Sequence, residues 1–114
     1  MRSQRAYVEH ILAWIRRIAD DSAHGRESVF ASRTLQDAII RNLQVLCESS
    51  QRIDDEHKLQ HPEINWRSIA GMRNVLVHDY FGVDFQTVWQ IVERDLPPLE
   101  QAMRAIAAWL NQSR

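Results

Sequence analysis

Apolar residues return at intervals of three and four along nearly the whole chain, and no segment sustains the period-two alternation that a half-buried strand needs. That pattern restricts the fold to packed helices. From Arg5 to about Asp20, Tyr7, Ile11, Trp14 and Ile18 form one stripe, widened by Val8, Leu12 and Ile15. The turn formers Asp20-Asp21-Ser22-Ala23-His24-Gly25 interrupt it. Ser28 or Ser32 can cap a second helix, which runs to roughly Gln51 through Leu35, Ala38, Ile39, Asn42, Leu43, Val45 and Leu46. Arg52 to Gln60 is polar, a linker or a loosely continued helix. His61-Pro62 then imposes a boundary, because proline restricts the residue before it.

Asn65 is a natural N-cap for a third helix carrying Trp66, Ile69, Ala70, Val75 or Leu76, and Tyr80, with Gly82 able to terminate it in the left-handed conformation. Asp84 caps a fourth, with Val88, Ile91, Val92 and Leu96 as its stripe. Pro97-Pro98 makes either a sharp kink or the start of a fifth segment, in which Leu99, Met103, Ile106 and Leu110 resume the spacing. The expected architecture is an all-α antiparallel bundle of four to five helices, kinked near Pro97-Pro98. At 114 residues it fits one domain, residues 1–114.

Charge and cysteine usage narrow the function. The formal net charge of −1 lacks the basic excess of a protein that coats nucleic acid nonspecifically. Yet thirteen of the fourteen basic residues are arginine, the planar forked donor suited to phosphate, and Lys58 is the lone lysine. Cys47 has no second cysteine to pair with and lies on the inner side of the second helix, so it reads as a small core residue. With no secretory leader and no run of about eighteen apolar residues, a cytoplasmic location away from membranes is expected.

The residues best suited to chemistry lie together in Arg73-Asn74-Val75-Leu76-Val77-His78-Asp79-Tyr80. On an ideal helix Asn74 and His78 share one side, and Arg73 and Tyr80 share a neighbouring one, whereas Arg73 and His78 stand about 140° apart. Two arrangements bring an arginine and a histidine to one phosphate. Either the helix unwinds at His78, or two copies of it meet across a dimer. Metal-free RNA cleavage needs a base for the ribose 2′-hydroxyl, an acid for the leaving 5′-oxygen and a fixed cation for the phosphorane charge. Histidine serves as base or acid near neutrality, and arginine stays charged throughout. A purely architectural assignment also fits the residue types: Arg73 pairs with an acid on a neighbouring helix, His78 caps the helix end and Tyr80 fills the core.

The stretch from His61 to Asp84 resembles the signature region of HepT-like toxins, a branch of the HEPN superfamily. Arg73, His78 and Tyr80 match its Arg-x4-His-x-Tyr spacing. The likeness reaches back through Asp37-Ala38-Ile39-Ile40-Arg41-Asn42-Leu43 and on to Val88-Trp89 and Asp95-Leu96-Pro97. Two positions depart from it: Cys47 replaces a common glycine before Glu48, and Asn65 stands where proline or aspartate is usual. The resemblance implies a homodimeric, metal-independent endoribonuclease acting on tRNA or mRNA without a cofactor, with Arg73 and His78 catalytic and Asn74 and Asp79 supporting. It also implies a type VII-like toxin–antitoxin pair in which a minimal nucleotidyltransferase (MNT) antitoxin adenylylates Tyr80. The alternative is a non-catalytic HEPN module holding RNA, a nucleotide or a partner protein.

Other constellations are poorer. His57 and His61 are four apart, but Pro62 follows and no third ligand is evident, so no metal site is expected. Asp54-Asp55-Glu56 reads as a solvated charge run. Trp14, Trp66, Trp89 and Trp109 suit packing better than base stacking. No glycine-rich phosphate loop exists, so the chain is not itself expected to be the nucleotidyltransferase.

Overall fold

The computed structural model describes residues 3–78 and 84–112, and every described secondary element is helical. In chain order these are α1 (Gln4–Ser22), α2 (Arg26–Phe30), α3 (Arg33–Ser50), α4 (Asp55–Leu59), α5 (Trp66–His78), α6 (Phe85–Arg94) and α7 (Leu96–Gln112). The five long helices are those expected from the periodicity. The additions are α2 and α4, each five residues long.

Local chemistry accounts for the boundaries. The Ser3 hydroxyl accepts from the Ala6 amide at 3.2 Å, the Ser32 hydroxyl from Leu35 at 3.1 Å, the Asn65 side chain from Ser68 at 3.0 Å and Asp84 from Gln86 at 3.1 Å. Each satisfies an amide that the first helical turn leaves without a partner. Ser32 is therefore the cap of α3, and Ser28 lies inside α2. Gly25 enters α2 at φ +94°, where a side chain would be strained. Asp95 closes α6 and its carbonyl accepts from Leu99 as α7 begins. Pro97 and Pro98 thus fall in the first turn of α7, where their missing N–H groups have no helical partner to lose. Of the two expected readings, the prolines mark a fresh helix start.

The core is a cluster of buried side chains from every helix but α4, joined by Ile53 and Ile64 from the connections. Helix α1 packs between α3 and α7, α5 lies against α3, and α6 against α7. The buried line of α1 is Val8, Ile11, Ile15 and Ile18, with Tyr7, Leu12 and Trp14 on its flanks. On α5 the choice between Val75 and Leu76 is resolved: Leu76 is 2% exposed and Val75 51%.

Polar contacts set the antiparallel register. Arg5 at the start of α1 donates to the Leu110 carbonyl near the end of α7 at 3.1 Å. Gln4 donates to the Arg52 carbonyl at 2.9 Å and accepts from the Asp54 amide at 2.8 Å, tying the start of α1 to the turn after α3. Between α3 and α5, Gln44 donates to the Leu76 carbonyl at 2.7 Å, and one turn later Glu48 meets Arg73. The Trp66 indole N–H sits 3.2 Å from the carbonyls of both Lys58 and His61, anchoring the start of α5. No described helix is long and apolar enough to cross a membrane.

Candidate active site

Arg73 sits midway along α5, with about a third of its side chain exposed. The helix presents it to α3 because Arg73 and the buried Leu76 are three residues apart and share a side. Its guanidinium lies 3.3 Å from Glu48 Oε1 and 3.3 Å from Asn74 Oδ1. The pairing with an acid on a neighbouring helix is therefore real. It also gives the arginine a defined position, and Glu48 is more than half exposed, so the pair opens to solvent.

That opening is a cleft of about 790 Å³ lined by Tyr7 and His10 of α1, Glu48 and Ser49 of α3, Gln51 and Arg52 of the following turn, and Arg73. Three segments distant in sequence meet there because α1, α3 and α5 lie side by side. The lining is polar, and none of the four tryptophans belongs to it. Trp89 is buried with its ring edge-on to Phe30, Trp66 and Trp14 are half-buried, and Trp109 packs edge-on to His57.

Of the residues expected to carry chemistry, Arg73 and Asn74 are adjacent and hydrogen-bonded at the cleft. Helix α5 continues as far as His78, so the backbone does not unwind ahead of the histidine. The side chain of His78, and Asp79, Tyr80 and Gly82 altogether, lie outside the described residues. Glu48, Tyr7, His10 and Arg52 were not singled out from the sequence. One signal was available for Glu48: with Gln44, four residues earlier, it makes a polar edge beside the apolar line Leu43, Leu46 and Cys47. Such an edge faces a neighbour that offers polar partners.

Cys47 is fully buried, and this burial, with the charge of Glu48 added, pushes its thiol up to about 12. It stays protonated and unreactive at neutral pH. The two histidines near α4 point to different tasks. His57 is buried against Trp109, while His61 Nδ1 meets Glu63 at 3.2 Å. The Glu63 carboxyl is held below its ordinary range by its own backbone amide and then by His61. Among the described residues, no three His, Cys, Asp or Glu side chains gather in a metal-binding arrangement.

Residues 8–106 match a family described as "Ribonuclease HepT-like". The chain is 38% identical over 100 residues to a "Probable ribonuclease HepT" of Thermococcus cleftensis, covering 87% of this chain and 91% of that protein. It is 32% identical over 110 residues to a protein of Caldanaerobacter subterraneus subsp. tengcongensis named "Putative RNase", with 93% and 96% covered. A "Gamma-glutamylcyclotransferase and putative RNase" of Methanocaldococcus jannaschii is 32% identical over 111 residues, 96% of this chain but only 50% of the larger protein. This chain therefore spans half the length of that relative and nearly all of the other two. No solved structure matches the chain at a significant level.

Proposed function

The chain belongs to the HepT-like ribonuclease family within the HEPN superfamily, and from that premise we propose that it is the endoribonuclease toxin of a type VII-like toxin–antitoxin pair. Residues 1–114 form one HEPN-like domain that works as a homodimer in the cytoplasm, on tRNA or mRNA. The observation that carries the reading is the position of Arg73: a guanidinium fixed by Glu48 and Asn74 at the mouth of a polar cleft, five residues before His78 on a helix still regular there.

Helix as far as His78 keeps Arg73 and His78 on different sides of α5, which supports the two-copy arrangement. A two-fold axis supplies two histidines and two arginines to one phosphate. One imidazole takes the proton of the 2′-hydroxyl as its oxygen attacks phosphorus, and the other protonates the departing 5′-oxygen. Arg73 stays beside the non-bridging oxygens, where charge accumulates. Asn74 and Asp79 support the group. Attack by the 2′-oxygen needs no metal and leaves a 2′,3′-cyclic phosphate on one fragment and a 5′-hydroxyl on the other. Cleavage of RNA should therefore persist in excess chelator and yield 5′-hydroxyl ends. Activity that vanishes with EDTA and returns with Mg²⁺, or 5′-phosphate products, would refute this chemistry.

Silencing is assigned to Tyr80. Transfer of adenylate from ATP to its hydroxyl by an MNT-type nucleotidyltransferase antitoxin, with release of pyrophosphate and the phenolic proton, adds bulk and negative charge two residues from His78, competing for the cation that RNA phosphate needs. Intact mass after co-expression with such a partner should rise by one or more adenylates, and Tyr80→Phe should keep the unmodified mass. An unchanged wild-type mass removes this route of neutralisation and leaves the nuclease proposal in place. The Arg73–Glu48 pair also suits the alternative of a module that binds without turnover. The chelator assay separates the two.

A further inference from the structure

The cleft beside Arg73 holds a second guanidinium that the cleavage chemistry does not use. Arg52 lines the same cleft, exposed, on the turn that follows α3. The backbone beneath it is unusually well fixed for a surface turn. Its carbonyl accepts from Gln4 at 2.9 Å, its amide donates to Ser49 at 3.0 Å, and the next residue, Ile53, is 3% exposed in the core. Gln4 grips the far side of the turn as well, accepting from Asp54.

Electrostatics separates the two arginines. Arg73 shares its charge with Glu48, whereas no described side chain forms an ion pair or hydrogen bond with the Arg52 guanidinium. A cation held on a rigid turn at the rim of a polar cleft is arranged for an anion from outside. Tyr7, half-buried, lines the same cleft and offers it an aromatic ring. Resting on the ribonuclease reading above, we propose that Arg52 is a substrate-binding residue that grips a phosphate of single-stranded RNA away from the scissile bond, with Gln4 as its positioning residue. A single strand is favoured because in-line attack by a 2′-hydroxyl requires the sugar and phosphate to leave duplex geometry. The contact is to backbone, so it adds affinity across sequences and carries no base specificity.

The probe is a fluorescent single-stranded oligonucleotide of mixed sequence, 2′-O-methylated throughout so that it cannot be cut. Binding is measured between 50 and 200 mM salt on the full chain. Arg52→Gln should weaken binding by about tenfold at the lower salt and make the slope of log affinity against log salt shallower by about 0.7, the loss of one phosphate contact. Arg52→Lys should restore the slope and most of the affinity. On a cleavable strand the Arg52→Gln defect should lie in KM, with kcat within about twofold of wild type. A wild-type slope in Arg52→Gln, or a defect confined to kcat, overturns the proposal. A wild type that binds with this Arg52-dependent slope yet never cuts RNA sinks the nuclease reading and leaves the phosphate contact standing.

Discussion

Arg73→Ala is expected to lower the rate of RNA cleavage by about 10²–10³-fold, the usual cost of removing one preorganised stabiliser of transition-state charge. The loss should fall mainly on kcat, because the guanidinium is needed most when charge gathers on phosphorus. His78→Ala is expected to cost about 10²–10⁴-fold through loss of proton transfer. The Arg73→Ala result should not trace to unfolding. The Arg73–Glu48 pair is substantially exposed, and such pairs contribute at most about 1 kcal/mol. Glu48→Gln separates two jobs of the carboxylate. If Glu48 chiefly competes with phosphate for Arg73, the variant lowers KM. If it chiefly holds the guanidinium in place, the variant lowers kcat. Cleavage by Arg73→Ala and His78→Ala at the wild-type rate would remove both residues from the chemistry.

Leu43→Ala should destabilise the fold by about 2–5 kcal/mol. Leu43 is completely buried on α3, the helix that separates α1 from α5. A cavity there loosens both neighbours, and the total stability of a small domain is only about 5–15 kcal/mol. The unfolding midpoint should drop by about 10 °C or more. Leu59→Ala is the control: Leu59 is 79% exposed, so its loss should change stability by less than about 0.5 kcal/mol. Thermal unfolding followed by circular dichroism reads both. Equal midpoints for the two variants would contradict the packing of α3.

The long helices were legible because each carries a stripe with helical period and an N-cap of the right type, as Ser32, Asn65 and Asp84 show. The short ones were not. Helix α4 lies in a stretch dominated by polar residues, where burial rests on Ile53 before it and His57 within it, too few positions to display a period. Helix α2 buries Val29 alone. Tyr7 and Trp14 fitted an ideal stripe, yet packing between α3 and α7 rotates its centre onto Val8, Ile11, Ile15 and Ile18. The candidate motif was visible because its residues lie within eight consecutive positions of the sequence. Its surroundings were hidden for the opposite reason. Tyr7, Glu48 and Arg52 reach Arg73 only through tertiary packing, and no local pattern in the chain announces which exposed acid meets which arginine.

The hydrogen bond from Gln44 to the Leu76 carbonyl has a mechanical consequence. Together with the Glu48–Arg73 pair one turn away, it fastens α5 to α3 like two bolts through a beam, and both lie on the Arg73 side of His78 and Tyr80. Arg73 is thereby held by contacts made within the described part of α5. Under the silencing proposed above, adenylate on Tyr80 would act as a plug and not as a crowbar, with the fastening of Arg73 to α3 left in place.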